Sequence, residues 1–373
     1  MGCIRLILAI AVVASHSGGI LYLPLLPGST AVQTFYVISG FYMALILNEK
    51  YADKKNCYQL FISNRLLRLL PVYWAALLIG VAATILTHGY FAQEMPTTPI
   101  ALYSPMSIGT LLFAVWSNLF ILGQDLSMFL GIDSISGSLY PTTNFHAAAL
   151  PAHRLLVVPQ GWSLSIEMLF YAIAPAIATR RSSVLFLILM ASVATRILLY
   201  SAGYSFDPWA HRFFPNELAL FVWGALAYRW YVWIRRYPPS NLRLCEVFAL
   251  SLTLLLGFPY FFREWPELRL WGFLLLFGAC IPYVFLLSKT WVVDRVLGEL
   301  SYPVYLIHVS IIWLVVTFIG ISNHTVAATV IPITLIISFL VYYFVARPID
   351  AVRQKRIESG GDDHLPQNRS SAI

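Results

Sequence analysis

Charge is what this sequence has least of. Asp, Glu, Lys and Arg make up 11% of its 373 residues, against roughly 25% in a soluble globular domain, which excludes an ordinary water-soluble fold. Cysteine is scarce as well. Cys3, Cys57, Cys245 and Cys280 show no paired spacing, so neither a disulfide framework nor a zinc site is expected, and no other metal site is visible. No internal repeat and no appended soluble domain can be discerned. The net charge of +7 is dispersed along the chain rather than gathered into a binding patch. That excludes nucleic acid as the expected partner and turns attention to membrane topology.

What is there is apolar: 59% of residues are hydrophobic and 15% aromatic, a composition suited to a bilayer with aromatic belts. A span needs about 20 mostly apolar residues. Ten runs qualify: 5–25, 31–48, 70–91, 161–178, 183–201, 213–232, 244–260, 269–287, 299–320 and 325–346. The expected fold is therefore all-α, a polytopic integral membrane protein of about ten transmembrane helices. With both termini cytoplasmic, 19 of the 24 Lys and Arg residues fall on the inner side, as the positive-inside bias requires. An eleventh run, 107–122, is short and carries Ser117 and Asn118; counting it as a span would scramble that bias. Residues 92–160 are placed outside, with this run interfacial or re-entrant. A cleaved leader is not expected, because cleavage would remove His16 or strand it at a new terminus and no clear small-x-small site precedes it. The membrane domain is assigned to 1–356, and the polar tail 357–373 is expected to be disordered and cytoplasmic.

Several polar groups sit where lipid would penalise them. Glu167, inside "QGWSLSIEMLFYAIAP", must face a protein interior or a wet cavity. Arg5 and His16 lie eleven positions apart on the first helix, roughly 16 Å. His16 reaches a depth similar to that of Glu167, so a carboxylate–histidine pair that frees one ring nitrogen as a base is expected. Arg65 and Arg68, three apart at the inner surface, offer two guanidiniums on one face for phosphate oxygens. Arg212 and Glu217 either line an outward pocket or pair with each other. Tyr305 and His308, in "LGELSYPVYLIHVSI", lie near mid-bilayer; His308 reads equally as an interhelical contact or as a member of the site.

Together these motifs resemble the integral-membrane acyltransferase-3 family of bacterial sugar O-acyltransferases. The resemblance runs through Arg5 and His16, Ser39 and Gly40, Arg65-x-x-Arg68, Trp162-Ser163-Leu164-x-x-Glu167, and Ser301, Tyr302, Tyr305 and His308. It implies an enzyme of the bacterial cytoplasmic (inner) membrane. Such an enzyme takes an acyl group, usually acetyl, from cytoplasmic acyl-CoA to a hydroxyl of an envelope or secreted glycan such as an exopolysaccharide. Acyl-CoA is then a donor substrate, and no bound cofactor is implied. The acceptor is a glycan or lipid-linked sugar. Carried over, Arg5, His16, Arg65 and Arg68 are functionally essential, and Glu167 matches a recurrent family position. From the residues themselves, His16 and Glu167 are read as catalytic, Arg5, Arg65 and Arg68 as donor-binding, and Arg212, Glu217, Tyr305 and His308 as further pocket residues. Direct transfer and an acyl-enzyme relay through His16 both remain open. A transporter or flippase for a lipid-linked sugar is the competing class.

Overall fold

In the computed structural model, the described residues are 1–19, 25–52, 54, 56–91, 106–320 and 326–359. The fold is all-helical, and each of the ten apolar runs overlaps a helix. These are α1 (Gly2–His16), α2 (Gly28–Glu49), α3 (Cys57–Phe91), α5 (Trp162–Ile177), α6 (Ser182–Ser201), α7 (Phe214–Ile234), α8 (Asn241–Gly257), α9 (Pro266–Ser288), α10 (Val292–Ile319) and α11 (Val326–Val341). The short run forms α4 (Ile108–Phe120), and α12 (Arg347–Ser359) closes the described chain. Six helices are long and apolar enough to cross a membrane, which makes this a multi-pass membrane protein.

Local chemistry sets the helix ends. Pro215 and Pro266 open α7 and α9 at a position where a missing N–H costs nothing. Ser240 caps α8 by accepting from the Arg243 amide. Gly320, with φ of 63°, ends α10. At α1 the expected span of 5–25 is cut short: Gly19 N–H donates to the Ala14 carbonyl at 2.8 Å, and Gly18 and Gly19 take positive φ. His16 is thus the last residue of its helix and not a mid-helix residue. Conversely, α3 begins at Cys57, so Arg65 and Arg68 lie two turns inside it rather than ahead of it. Nothing between 57 and 70 breaks the helix.

Helix α2 is central, with 78% of its apolar window buried in protein against 17% for the lipid-facing α6. It packs against α7 backbone to backbone. A Cβ on Gly40 would lie 1.9 Å from the Phe221 carbonyl oxygen, and one on Gly224 would lie 2.0 Å from that of Val37. This reciprocal pair of small residues is what lets membrane helices approach closely. Helices α1 and α10 run side by side, with the Asp294 carboxylate accepting from the amides of Gly2 and Cys3, both at 2.8 Å.

Between α4 and α5 the chain builds a small cap. A two-stranded antiparallel sheet, β1 (Leu130–Ile132) and β2 (Leu139–Pro141), packs with Ala152 and Leu155 in a second apolar core. The 13 residues of α4 span roughly 20 Å, too short to cross a bilayer. Its C-terminal end docks near the middle of α3: Tyr73 Oη donates to the Asn118 carbonyl and Trp74 Nε1 to that of Leu119, each at 2.8 Å. After α11 a π-helical stretch, Tyr342–Ala346, leads into α12, whose Arg353 and Arg356 bond to Asn64 and Ser63 of α3. Residues 360–373 of the expected disordered tail lie outside the described residues.

Replacing Gly224 with leucine forces α2 and α7 apart. The expected cost is at least about 2 kcal/mol from overpacking, read as a lowered midpoint of thermal unfolding in detergent.

Candidate active site

The site begins as a cavity of about 600 Å³ among α1, α2, α3, α5 and α10, with α12 at its edge. That volume is typical of pockets for small-molecule ligands. Seven cationic side chains line it (Arg5, Lys50, Arg65, Arg68, Lys289, Arg295 and Arg353) against four carboxylates (Glu167, Asp294, Glu299 and Asp350). Of those carboxylates, Glu299 and Asp350 are bonded to the cavity's own Arg68 and Arg353, and Asp294 is engaged by the amides of α1. The surplus of positive charge in a low-dielectric space attracts a polyanion.

The three arginines expected to act on the donor, Arg5, Arg65 and Arg68, all reach this cavity. Arg68 Nη2 lies 3.3 Å from Glu299 Oε1. Arg65 is 5% exposed, flanked by the rings of Phe61 and Tyr171, and its Nε has no hydrogen-bond partner among the described residues. A buried guanidinium N–H without an acceptor costs stability unless a ligand satisfies it. Glu167 also faces the cavity, where its Oε1 accepts from Ser39 Oγ at 2.5 Å and from Tyr171 Oη at 2.6 Å.

Glu167 does not pair with His16. The partner of His16 is His308: His308 Nε2 lies 3.2 Å from His16 Nδ1, because α1 packs along α10 and not along α5. The hydrogen bonds set the tautomers. His308 Nδ1 sits 2.7 Å from the Tyr305 carbonyl, which can only accept, so in the neutral ring Nδ1 carries the proton and Nε2 the lone pair. His16 Nδ1 then faces two acceptors, that lone pair and the Val12 carbonyl at 3.0 Å. It carries the proton, and His16 Nε2 is left as the basic nitrogen. His308 is fully buried, whereas His16 is exposed and lies beyond the cavity lining.

Tyr305 separates the two halves. Its hydroxyl contacts Ser163 Oγ at 2.6 Å and donates to the Gln160 carbonyl at 3.0 Å, and Gln160 Nε2 in turn donates to the Leu306 carbonyl. This polar knot sits at the end of the cavity, one turn before His308.

Arg212 and Glu217 do not pair. Glu217, fully buried, binds Arg196 at 2.7 Å and accepts from Gln33 at 3.3 Å. Arg212 forks onto Asp207 at 2.6 and 3.1 Å and lies 4.2 Å from the Trp162 ring centroid. The reason is positional: Glu217 is inside α7, turned toward α2 and α6, while Arg212 belongs to the preceding loop. Arg196 is a functional-looking charge that the sequence analysis does not single out. The signal was available, since an arginine amid "LILMASVATRILLYS" demands a buried partner. Glu299, Asp294 and Arg353 are the other contributors that the pattern of residues did not single out.

A model of an acyltransferase domain matches residues 1–343, so the match runs through every motif residue from Arg5 to His308. The chain belongs to the acyltransferase-3 family. Among curated proteins it is similar to the exopolysaccharide production protein ExoZ of Rhizobium meliloti (strain 1021), with 27% identity over 89% of this chain and 93% of that protein. No solved structure matches. The family assignment makes this chain an acyltransferase.

The loops around Arg212 carry a pH dependence. Burial, with the Arg212 charge second, pushes His153 and His211 down to about 4. Both stay neutral in the folded protein while the unfolded chain takes up protons below about 6.5. Their contribution is complete above pH 6.5 and is lost as pH falls toward 4. For Asp207, burial is outweighed by Arg212, which lowers it, so it adds acid sensitivity only below the ordinary carboxylate range. The melting temperature should fall between pH 6.5 and 4, and should fall less in a His153→Gln, His211→Gln double variant.

Proposed function

We propose that this acyltransferase moves an acetyl group from cytoplasmic acetyl-CoA to a hydroxyl of an exopolysaccharide or its lipid-linked precursor. It would do so in a bacterial inner membrane, with ten spanning helices and both termini cytoplasmic. The observation that carries the reading is the two-ended site: a cation-rich cavity ends at Tyr305, one turn before the buried His308, whose partner, the exposed His16, presents a basic nitrogen. A donor bearing several phosphates fits the first half, and a sugar hydroxyl fits the second. The similarity to an exopolysaccharide production protein supports that acceptor class.

The donor's phosphates dock on the unpartnered Arg65 Nε and on Arg68, with Arg5 adding charge further up the cavity. Glu167, held by Ser39 and Tyr171, accepts from amide N–H groups of the donor's pantetheine arm. The thioester passes Tyr305 and reaches His16. His16 Nε2 removes the proton of the sugar hydroxyl as its oxygen attacks the thioester carbonyl. The C–S bond breaks, the thiolate leaves and takes up a proton, and the acyl group is on the sugar oxygen. His308 is a positioning residue: its lone pair holds the His16 Nδ1 proton and thereby keeps Nε2 free.

Two outcomes test this. Mass spectrometry of surface and secreted glycans should show one glycan lighter by an acetyl group in a deletion strain, and equally in that strain complemented with His16→Ala. Unchanged acylation with an accumulating cytoplasmic intermediate would instead indicate a transporter. In purified protein, His308→Ala should lower turnover about 100-fold and move the pH–rate profile, leaving the KM for acetyl-CoA near its starting value; a role in packing alone would not move the profile.

A further inference from the structure

Helix α12 begins at Arg347, beyond the stretch 1–343 that the family model matches, yet four of its residues line the cavity: Asp350, Arg353, Gln354 and Ile357. Arg353 is 5% exposed and its guanidinium is anchored twice. Nε donates to the Asn64 carbonyl at 3.0 Å, and Nη1 to Asp350 Oδ1 at 2.7 Å. Asn64 immediately precedes Arg65 in α3, so the first of these contacts ties α12 to the very turn that carries the unpartnered guanidinium. Three arginines, 65, 68 and 353, are thereby gathered on one wall. Glu299 and Asp350 are the carboxylates bonded to Arg68 and Arg353.

Such crowding of like charge is unfavourable without an anion to share. Arg353 is well suited to meet one: a planar fork already held by two contacts loses little side-chain freedom when it takes a third. Its salt-bridge partner Asp350 is the more exposed of the two, at 46% against 6% for the Arg353 side chain. This carboxylate balances the arginine while the cavity is empty of anions and opposes any phosphate that arrives.

We propose that α12 is a cytoplasmic clasp on the donor cavity, with Arg353 as a third phosphate-binding guanidinium beside Arg65 and Arg68 and Asp350 as its internal competitor. The inference rests on the reading of the cavity as the acyl-CoA site. It makes donor affinity depend on a segment outside the matched acyltransferase domain.

The test is the dissociation constant of coenzyme A for the purified full chain in lipid nanodiscs, by calorimetry, for wild type and three variants. Arg353→Gln should weaken binding about 10-fold or more, the loss expected of one charge-assisted hydrogen bond. Arg353→Lys should recover part of that loss. Asp350→Asn should bind tighter than wild type, which a merely structural ion pair would not produce. Equal affinity in wild type, Arg353→Gln and Asp350→Asn overturns the role of α12 and leaves the donor reading intact. If wild type itself does not bind coenzyme A, the donor reading falls and the clasp with it. Should Arg353→Gln not fold, Asp350→Asn decides alone: tighter binding supports the proposal, and unchanged or weaker binding overturns it.

Discussion

The register between α1 and α10 is the constraint on which the rest of the site depends. At one end the Asp294 carboxylate receives the first amides of α1, groups that no helix can satisfy internally. A carboxylate against a helix N-terminus is also favoured by the helix dipole. From that fixed point both helices rise in parallel by 1.5 Å per residue, so His16 and His308, each fourteen positions on from Gly2 and Asp294, arrive at the same height. The histidine contact is the far end of a rule set at the near end. A slip of one residue would rotate either ring away from its partner.

Buried charge is handled in two distinct ways. In the outer half, Arg196 and Glu217 neutralise each other directly, with Gln33 and the Trp271 ring completing the shell. That pair is closed, since its donors and acceptors are used within the protein. Around the cavity the balance is left open: arginines outnumber the carboxylates they contact, and Arg65 retains a donor with nothing to receive it. A closed pair stabilises an arrangement of helices, whereas an open one holds free energy that only a ligand recovers.

The layout also accounts for the polar knot of Tyr305, Ser163 and Gln160. The cation-rich cavity and the His16–His308 contact are separated along α10 by a partition of polar side chains. Here the partition is built from hydrogen bonds between α10 and the start of α5 rather than from an apolar plug. It sits one helical turn before His308, the partner of His16. A hydroxyl and an amide can exchange hydrogen-bond partners, whereas a close-packed apolar layer cannot rearrange without opening a void.

The amino-acid sequence by itself determined the helical class and the membrane setting, and marked the short apolar run that forms α4. Hydropathy and charge placement act locally and need no neighbour to be read. It also marked Arg5, His16, Arg65, Arg68 and Glu167, because an ionisable group in an apolar run is conspicuous wherever it points. Which of these groups meet was decided only by the tertiary structure. Depth along a helix made His16 and Glu167 look like partners. The direction in which each helix packs gave Glu167 to Ser39 and Tyr171, and gave His16 to a second histidine nearly three hundred residues away. Glycines shape this outcome twice: Gly18 and Gly19 end α1 at His16, and the Gly40–Gly224 contact draws α7 against α2, where Glu217 finds Gln33 and Arg196. A sequence records the charges, but partners follow from backbone approach and helix rotation, and those are properties of the packed bundle.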